Sequence, residues 1–438
     1  MSSILAFIFV LGVLIFVHEL GHFMMARRIG VRVITFSLGF GPKMLSFRRG
    51  DTEYCVSVIP LGGYVKMAGE NPEDARTGAS DEFLSKSKWQ RFQVLIMGPV
   101  MNLVLAVIVL AFVLYQGADI PVFSEKPAVV GAVHPDYPAA KAGLLPGDHI
   151  LAVNDVPVET WEAFSMEIAL RGGRQVTLTI DRAGQRIEQP VVPATEGKYE
   201  QGQLGVLPEM RPAILALNVG EPAQEAGLQR ADVILGVNGE SPVTQQQIFD
   251  LIKANEGKPV PIVIERGGQR QTITVTPRKI DDTVRIGIRM SPEFRIVRPS
   301  FIQAIQLSAE RNWEAAAMIL RTLAGLFTRD TPVRQLMGPI GIADVSGDAL
   351  ELGWIPLFNL MAMISLNLGL LNLMPVPVLD GGHIAILALE GLSRRDFSMK
   401  VKEKMLVAGF VLLLMLMVTV IYNDLTRIQW IERLMPWR

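Results

Sequence analysis

The chain is 438 residues long, a length that at about 150 residues per domain suggests roughly three folded units. Lys and Arg total 42 against 43 Asp and Glu, and with a pI near 6.6 and no basic run there is no electrostatic case for a nucleic-acid partner. Charged residues are only 19% and apolar residues 50%, with a mean hydropathy of +0.32, which excludes a wholly soluble or disordered chain; the lone cysteine, Cys55, excludes an intrachain disulfide framework.

The first apolar run, residues 4–25, is close to the ~20 residues that cross a ~30 Å hydrocarbon core as a helix. No basic region precedes it and no A-x-A-like site follows, so it is expected to persist as an anchor rather than act as a signal peptide. Inside it, His18-Glu19-Leu20-Gly21-His22 places two imidazoles one turn apart on one helical face, where they can share a metal. Glu19 beside them can reach a water at such a metal as general base. Ionisable groups in a span are costly and functional by default; the competing role is a pair of satisfied histidines in a helix bundle.

Residues 31–40 and 53–59, the second including Val56, carry β-branched and aromatic residues around Gly-rich turns and predict a hairpin or small sheet beside the membrane. A second span follows at 94–115. The segment from about 116 to 353 then contains a repeat: PAAKAGLLPGDHILAVND (138–155) matches PAQEAGLQRADVILGVNG (222–239) at an offset of 84 residues, and VTLTIDRAGQR (176–186) matches VPIVIERGGQR (260–270) at the same offset. Each copy reads as a short helix, an apolar strand ending in Asn154 or Asn238, a helix and two alternating strands. This resembles a tandem of bacterial-type PDZ domains over about 125–210 and 212–292. Ala231 stands where the first copy has Gly147, so the second turn is expected to be tighter or altered. PDZ folds take extended C-terminal peptides at a sheet edge, and a spacer or size filter is an equal alternative. Residues 300–328 predict an outer helix with Phe301, Ile305, Ala309, Ala316, Leu320 and Leu323 on one side, linking the second repeat to the third span. The short GPI at 338–340 carries no reading by itself.

The third span, about 355–374, ends in Asn372-Leu373-Met374-Pro375-Val376-Pro377-Val378-Leu379-Asp380-Gly381-Gly382-His383. Pro375 and Pro377 prevent a regular helix, and loosened backbone at membrane depth is tolerated only against protein or a wet cavity. Catalytic zinc commonly takes three protein ligands, and Asp380 is the first carboxylate after the break. Asp380 could instead, or in addition, cap a helix starting near Gly381; His383 is the rival ligand, or a partner that orients Asp380. Asn372 could hydrogen-bond a substrate backbone or a developing oxyanion, or simply bridge helices. A fourth span covers 405–422. Arg27, Arg28 and Arg32 after the first span, and Arg394, Arg395, Lys400, Lys402 and Lys404 between the last two, predict both termini and the repeat segment outside.

The HExxH of the first span, N-x-x-P-x-P-x-x-D-G at 372–381 and the paired repeats between them together resemble the site-2 protease family of intramembrane zinc metalloproteases, in its bacterial RseP-type branch. Segments 16–33, 59–67, 338–340 and 367–383 share the resemblance, which spans nearly the whole chain. It implies one Zn2+ per chain on His18, His22 and Asp380, with His383 outside the ligand pattern, and Glu19 as general base. It also implies that Asn372, Pro375 and Pro377 hold substrate near the metal, and that a membrane-associated β-region pairs with substrate along an edge, here expected at the Val56 strand. The implied partners are the lipid bilayer and single-span membrane proteins already cut outside, such as anti-sigma factors or remnant signal peptides, in the bacterial inner membrane.

The expected fold is therefore a multi-pass α-helical membrane protein: four transmembrane helices, a membrane-associated β-hairpin or sheet, and two inserted α+β PDZ domains. Its parts are a first membrane portion (1–115), PDZ-like domains at 125–210 and 212–292, an outer helical linker (293–353) and a second membrane portion (354–438). The rival functions are a catalytically inactive membrane-anchored PDZ scaffold or receptor, against which intact His18, Glu19, His22 and Asp380 argue, and a transporter, whose inverted repeats are not evident.

Overall fold

The opening apolar run forms helix α1, Ser2–Arg28, whose 27 residues extend about 40 Å at ~1.5 Å each, enough to cross a ~30 Å hydrocarbon core. The structure is a computed structural model and describes residues 2–70, 78–197, 200–241, 244–280, 283–328 and 336–426. The described chain divides into a membrane unit, built from the residues up to Gln116 and from Pro299 onward, and an inserted unit, Gly117–Arg298.

In the membrane unit, α1 leads into strands β1, Val33–Arg49, and β2, Thr52–Met67. Gly39 and Gly41 adopt positive φ, so β1 can change course midway. Its two halves end on opposite sides of the start of β2: Phe36 and Phe47 both pair with Tyr54, and Leu38 and Leu45 both pair with Val56. The sheet is seated on α1 through aromatic edges, with Phe23 and Phe36 ring centroids 5.3 Å apart. Helix α2, Lys88–Tyr115, starts at a capping box in which Ser87 and Gln90 satisfy each other's backbone N–H.

The inserted unit enters through Ala118–Pro121 and leaves through Phe294–Val297, and these two segments pair as antiparallel strands. Between them lie two modules of matching build. The first has short helix α3, Pro138–Lys141, helix α4, Trp161–Ala169, and a sheet in the order Val156–Pro157, His149–Val153, Val176–Arg182, Gln185–Val191. The second has α5, Pro222–Glu225, α6, Gln245–Ala254, and a five-stranded sheet in which Val233–Val237, Val260–Arg266 and Gln269–Val275 occupy the corresponding places. The cores correspond residue for residue at the repeat offset: Ile150 with Ile234, Leu178 with Ile262, Ile180 with Ile264 and Phe164 with Ile248, all fully buried. The turn at Ala231 is not altered. Gly147 N–H donates to Val130 O at 2.7 Å and Ala231 N–H to Ile214 O at 2.8 Å, with Ala231 held at φ +70° at a cost of about 1–2 kcal/mol relative to glycine.

A charged clasp repeats as well. Arg182 Nε and Nη2 donate to Asp148 and Nη2 also to Gly143 O; Arg266 does the same with Asp232 and Gly227 O. Burial opposes the charge on Asp148, but the hydrogen bonds from Arg182 and from Leu145 N–H outweigh it and hold the carboxyl below its usual range. That contribution to stability is complete above the unfolded value near pH ~3.9 and is lost as pH falls through the lower folded value. Arg182→Ala, which leaves the buried Asp148 carboxylate without its ion partner, is expected to destabilise the first module. In the full-length protein, amide exchange at Ile150 and Leu178 should accelerate by roughly tenfold or more at neutral pH; unchanged protection would show the clasp to be dispensable.

Back in the membrane unit, α7 spans Phe301–Thr328, α8 Pro339–Leu352, α9 Trp354–Asn372, α10 Asp380–Leu392 and α11 Met399–Thr426. Among the described residues four helices are long and apolar enough to cross a membrane: Ser3–Arg28, Lys88–Tyr115, Trp354–Asn372 and Lys400–Thr426. The packed stripe of α7 differs from the expected one: Ala304, Ser308 and Asn312 are buried, whereas Phe301, Ile305 and Leu320 are exposed. Small residues allow close approach, and Ser308 Oγ donates to Val107 O of α2 at 2.7 Å. The GPI segment also acquires a role: the N–H groups of Gly338, Ile340 and Gly341 at the start of α8 donate to the buried carboxylate of Asp424 at 3.0–3.1 Å, tying α8 to α11.

Candidate metal centre

The helical period brings His18 and His22 of α1 together, with Nε2 atoms 3.3 Å apart. The third donor comes from the start of α10. Asp380 Oδ2 lies 3.1 Å from His18 Nε2 and Oδ1 3.5 Å from His22 Nε2. Four ligands at ~2.0–2.1 Å from tetrahedral zinc stand about 3.3–3.4 Å from one another, so three edges of the required tetrahedron are already present. The donor set, two imidazoles and a carboxylate, also suits that ion.

Local sequence explains how Asp380 reaches the histidines. Pro375 and Pro377 interrupt the chain after α9, and α10 begins at Asp380 itself, with Leu379 as its N-cap residue and no side-chain cap. Asp380 is therefore a first-turn residue whose carboxylate faces α1, not the cap of a helix starting at Gly381. Gly381 and Gly382 make this seating possible, since a Cβ would come within 2.3 Å of Leu373 O at the first and 2.1 Å of Val376 O at the second. His383 is exposed and lies outside the three-residue cluster.

The other expected residues are distributed around this cluster. Glu19, half-buried, follows His18 on α1, and the backbone of β2 passes beside it so closely that a Cβ on Gly63 would lie 3.0 Å from Glu19 Cγ. Asn372 is the last residue of α9 and half-buried; Pro375 is exposed; Pro377 packs against α11 where Gly409 leaves room for it. Val56 departs from expectation. Its strand segment lies between the two halves of β1, so its backbone is flanked on both sides by Leu38 and Leu45, and it offers only a side chain, 43% exposed. The outer strands of the sheet among the described residues are Gly63–Met67, which lies beside α1 and Glu19, and Lys43–Arg49, the exposed edge. The sequence does not announce this edge because the segment has no alternating pattern; it is exposed on both faces.

A second layer on α2 is equally unannounced. Val94, Gly98 and Asn102 recur at every fourth position and form one stripe against the histidines. Val94 O accepts from His22 Nδ1 at 2.8 Å, and the Asn102 side-chain amide lies 3.2 Å from His18 Nδ1. Gly98 must lack a side chain, since its Cβ would fall 2.2 Å from His22 Nε2. An asparagine and a Gly-Pro pair within an apolar span were the available signals.

The family model described as peptidase family M50 matches residues 6–416. The chain belongs to peptidase family M50. Among curated relatives of this M50 chain, the regulator of sigma-E protease RseP of Escherichia coli is 34% identical over 449 residues, covering 97% of this chain and 98% of that one. The regulator of sigma E protease of Salmonella typhi is 34% identical, covering 97% and 99%. A protein of Neisseria meningitidis named as a zinc metalloprotease is 33% identical, covering 98% and 100%. Among solved structures, the PDZ domain of an SdrC-like protein from Listeria monocytogenes aligns at 22% identity over 19% of this chain and 90% of its own, with a TM-score of 0.18. The M50 chain is a zinc metalloprotease of the site-2 type, an intramembrane endopeptidase.

Proposed function

We propose that this protease holds one zinc ion on His18 Nε2, His22 Nε2 and the Asp380 carboxylate, and cuts single-span proteins of the bacterial inner membrane within or near the bilayer. The observation that carries the reading is the mutual spacing of the three donors, 3.1–3.5 Å, from helices far apart in sequence. Zinc, when bound, supplies Lewis-acid polarisation of a carbonyl and makes a water more acidic. The rest of the chemistry belongs to the chain's own residues. Glu19 accepts a proton from the attacking water on a carboxylate oxygen and returns it to the departing amide nitrogen. Asn372 Nδ2 donates a hydrogen bond to the substrate backbone or to the oxygen on which charge develops. Pro375 and Pro377 keep the backbone between α9 and α10 out of a regular helix, where an extended substrate would pass.

A transmembrane helix hides its peptide bonds, and a cut requires local unwinding into an extended strand. An outer strand of the sheet is suited to receive such a segment, either Gly63–Met67 beside Glu19 or the exposed Lys43–Arg49, with Val56 contributing side-chain contact. Val56→Pro would accordingly damage the sheet itself rather than a docking edge. The two repeat modules read as PDZ domains that screen substrates outside the membrane, excluding bulky ectodomains or capturing C-termini exposed by an earlier cut. Substrates of that kind are anti-sigma factors or remnant signal peptides, and the first class agrees with the names of the sigma-E protease relatives.

The test is cleavage in proteoliposomes of a single-span substrate with and without its ectodomain. Chelation should abolish cutting and zinc restore it, with the shortened substrate preferred; chelator-resistant cleavage would refute the reading. Topology, with both termini and the repeats outside, follows from the basic residues after the first span and between the last two. In sealed spheroplasts an impermeant thiol reagent should modify a cysteine placed at Gly184 and spare one at Ser398, and the opposite pattern would reverse the topology.

A further inference from the structure

The two histidines meet the same requirement in different ways. A neutral imidazole that gives Nε2 to a metal carries its ring proton on Nδ1, and that proton needs an acceptor. For His22 the partner is fixed in kind, because the Val94 carbonyl 2.8 Å from Nδ1 can only accept. For His18 the partner is the Asn102 amide, 3.2 Å away, which donates from one end and accepts from the other. Asn102 is fully buried, and its Oδ1 has no hydrogen-bond partner among the described residues. A buried orphan acceptor beside a metal-ligand candidate calls for an explanation.

With Nδ2 directed at Nδ1, the amide donates and the His18 proton sits on Nε2, 3.1 Å from Asp380 Oδ2. Nε2 cannot keep that proton and also bind a metal. Moving the proton to Nδ1 sets two donors against each other unless the amide turns over, and a half-turn about its terminal torsion brings the orphaned Oδ1 onto Nδ1–H. We propose that Asn102 is the positioning residue of His18: in the zinc-loaded protein its Oδ1 accepts from Nδ1–H and fixes Nε2 as the ligand atom, and in the metal-free protein the same amide donates. This rests on the zinc-site reading above. The backbone that carries the amide is tethered independently, since Ser365 Oγ of α9 donates to Asn102 O at 2.7 Å. The amide can therefore reverse while its Cα stays in place.

The experiment is zinc affinity, measured by competition with a chromophoric chelator on purified full-length wild type, Asn102→Leu and Asn102→Asp, with the thermal midpoint of each metal-free protein as a fold control. Asn102→Leu, which cannot accept, should bind zinc about 10–100-fold more weakly, while Asn102→Asp, which keeps an acceptor, should stay within about threefold of wild type. An Asn102→Leu affinity within about threefold of wild type, at an unchanged midpoint, would overturn the proposal. If Asn102→Leu does not fold, Asn102→Asp decides: retained affinity supports the proposal, and a loss of about tenfold or more overturns it. Wild-type protein that takes up no zinc would overturn the zinc site itself and this inference with it, an outcome distinct from a wild type that binds and an Asn102→Leu protein that binds equally.

Discussion

Glu19→Gln protein is expected to retain its zinc and its fold and to lose cleavage by about 10²–10⁴-fold. The substitution preserves size and hydrogen-bonding capacity but removes the Glu19 carboxylate, which adjoins the histidines without belonging to the three-donor cluster. A neutral amide cannot take a proton from water at ordinary pH, so the attacking group stays weak and the leaving nitrogen receives no proton. The close passage of Gly63 beside Glu19 Cγ makes glutamine a safer probe than a larger side chain. Turnover of a reconstituted substrate and metal content on the same preparation measure both halves of the expectation. Full activity in Glu19→Gln would remove Glu19 from the chemistry, and loss of zinc would instead make it a ligand.

Asp380→Ala should do the reverse and empty the site. Asp380 is the third of three donors, and its loss leaves only the two imidazoles, one helical turn apart, to hold the ion. Removing a ligand should exceed the roughly 10–100-fold effect typical of second-layer substitutions, so metal content after gel filtration should fall close to zero. His383→Ala, three residues on and outside the cluster, should remain fully loaded. Zinc retained by Asp380→Ala and lost by His383→Ala would exchange the two assignments.

The parts of this protein that were legible in the sequence are those whose meaning lies in local spacing. The HExxH places His18 and His22 one turn apart whatever surrounds them, and the repeat offset carried through unchanged to the paired cores at Ile150 and Ile234 and to the Arg182 and Arg266 clasps. From its own residues the sequence narrows the third ligand to Asp380 or His383 after a proline break; the family resemblance chooses Asp380, and the start of α10 at Asp380 supplies a physical reason. What stayed hidden depends on which helix faces which. Asn102 and Gly98 matter only because α2 lies along the histidine face of α1, a pairing that no periodicity within α2 announces. The face of α7 was misjudged for a related reason: where lipid can solvate large apolar side chains, small residues such as Ala304 and Ser308 make the helix contact. The exposed half of β1 has no buried face to impose alternation, so the paired strand around Val56 was mistaken for the edge.

Zinc K-edge X-ray absorption on the purified full-length protein tests the central claim most directly. It should find one zinc per chain, with two imidazole nitrogens and carboxylate or water oxygens at about 2.0–2.2 Å. An absent metal, or a sulfur at about 2.3 Å that would implicate Cys55, would contradict the site built from His18, His22 and Asp380.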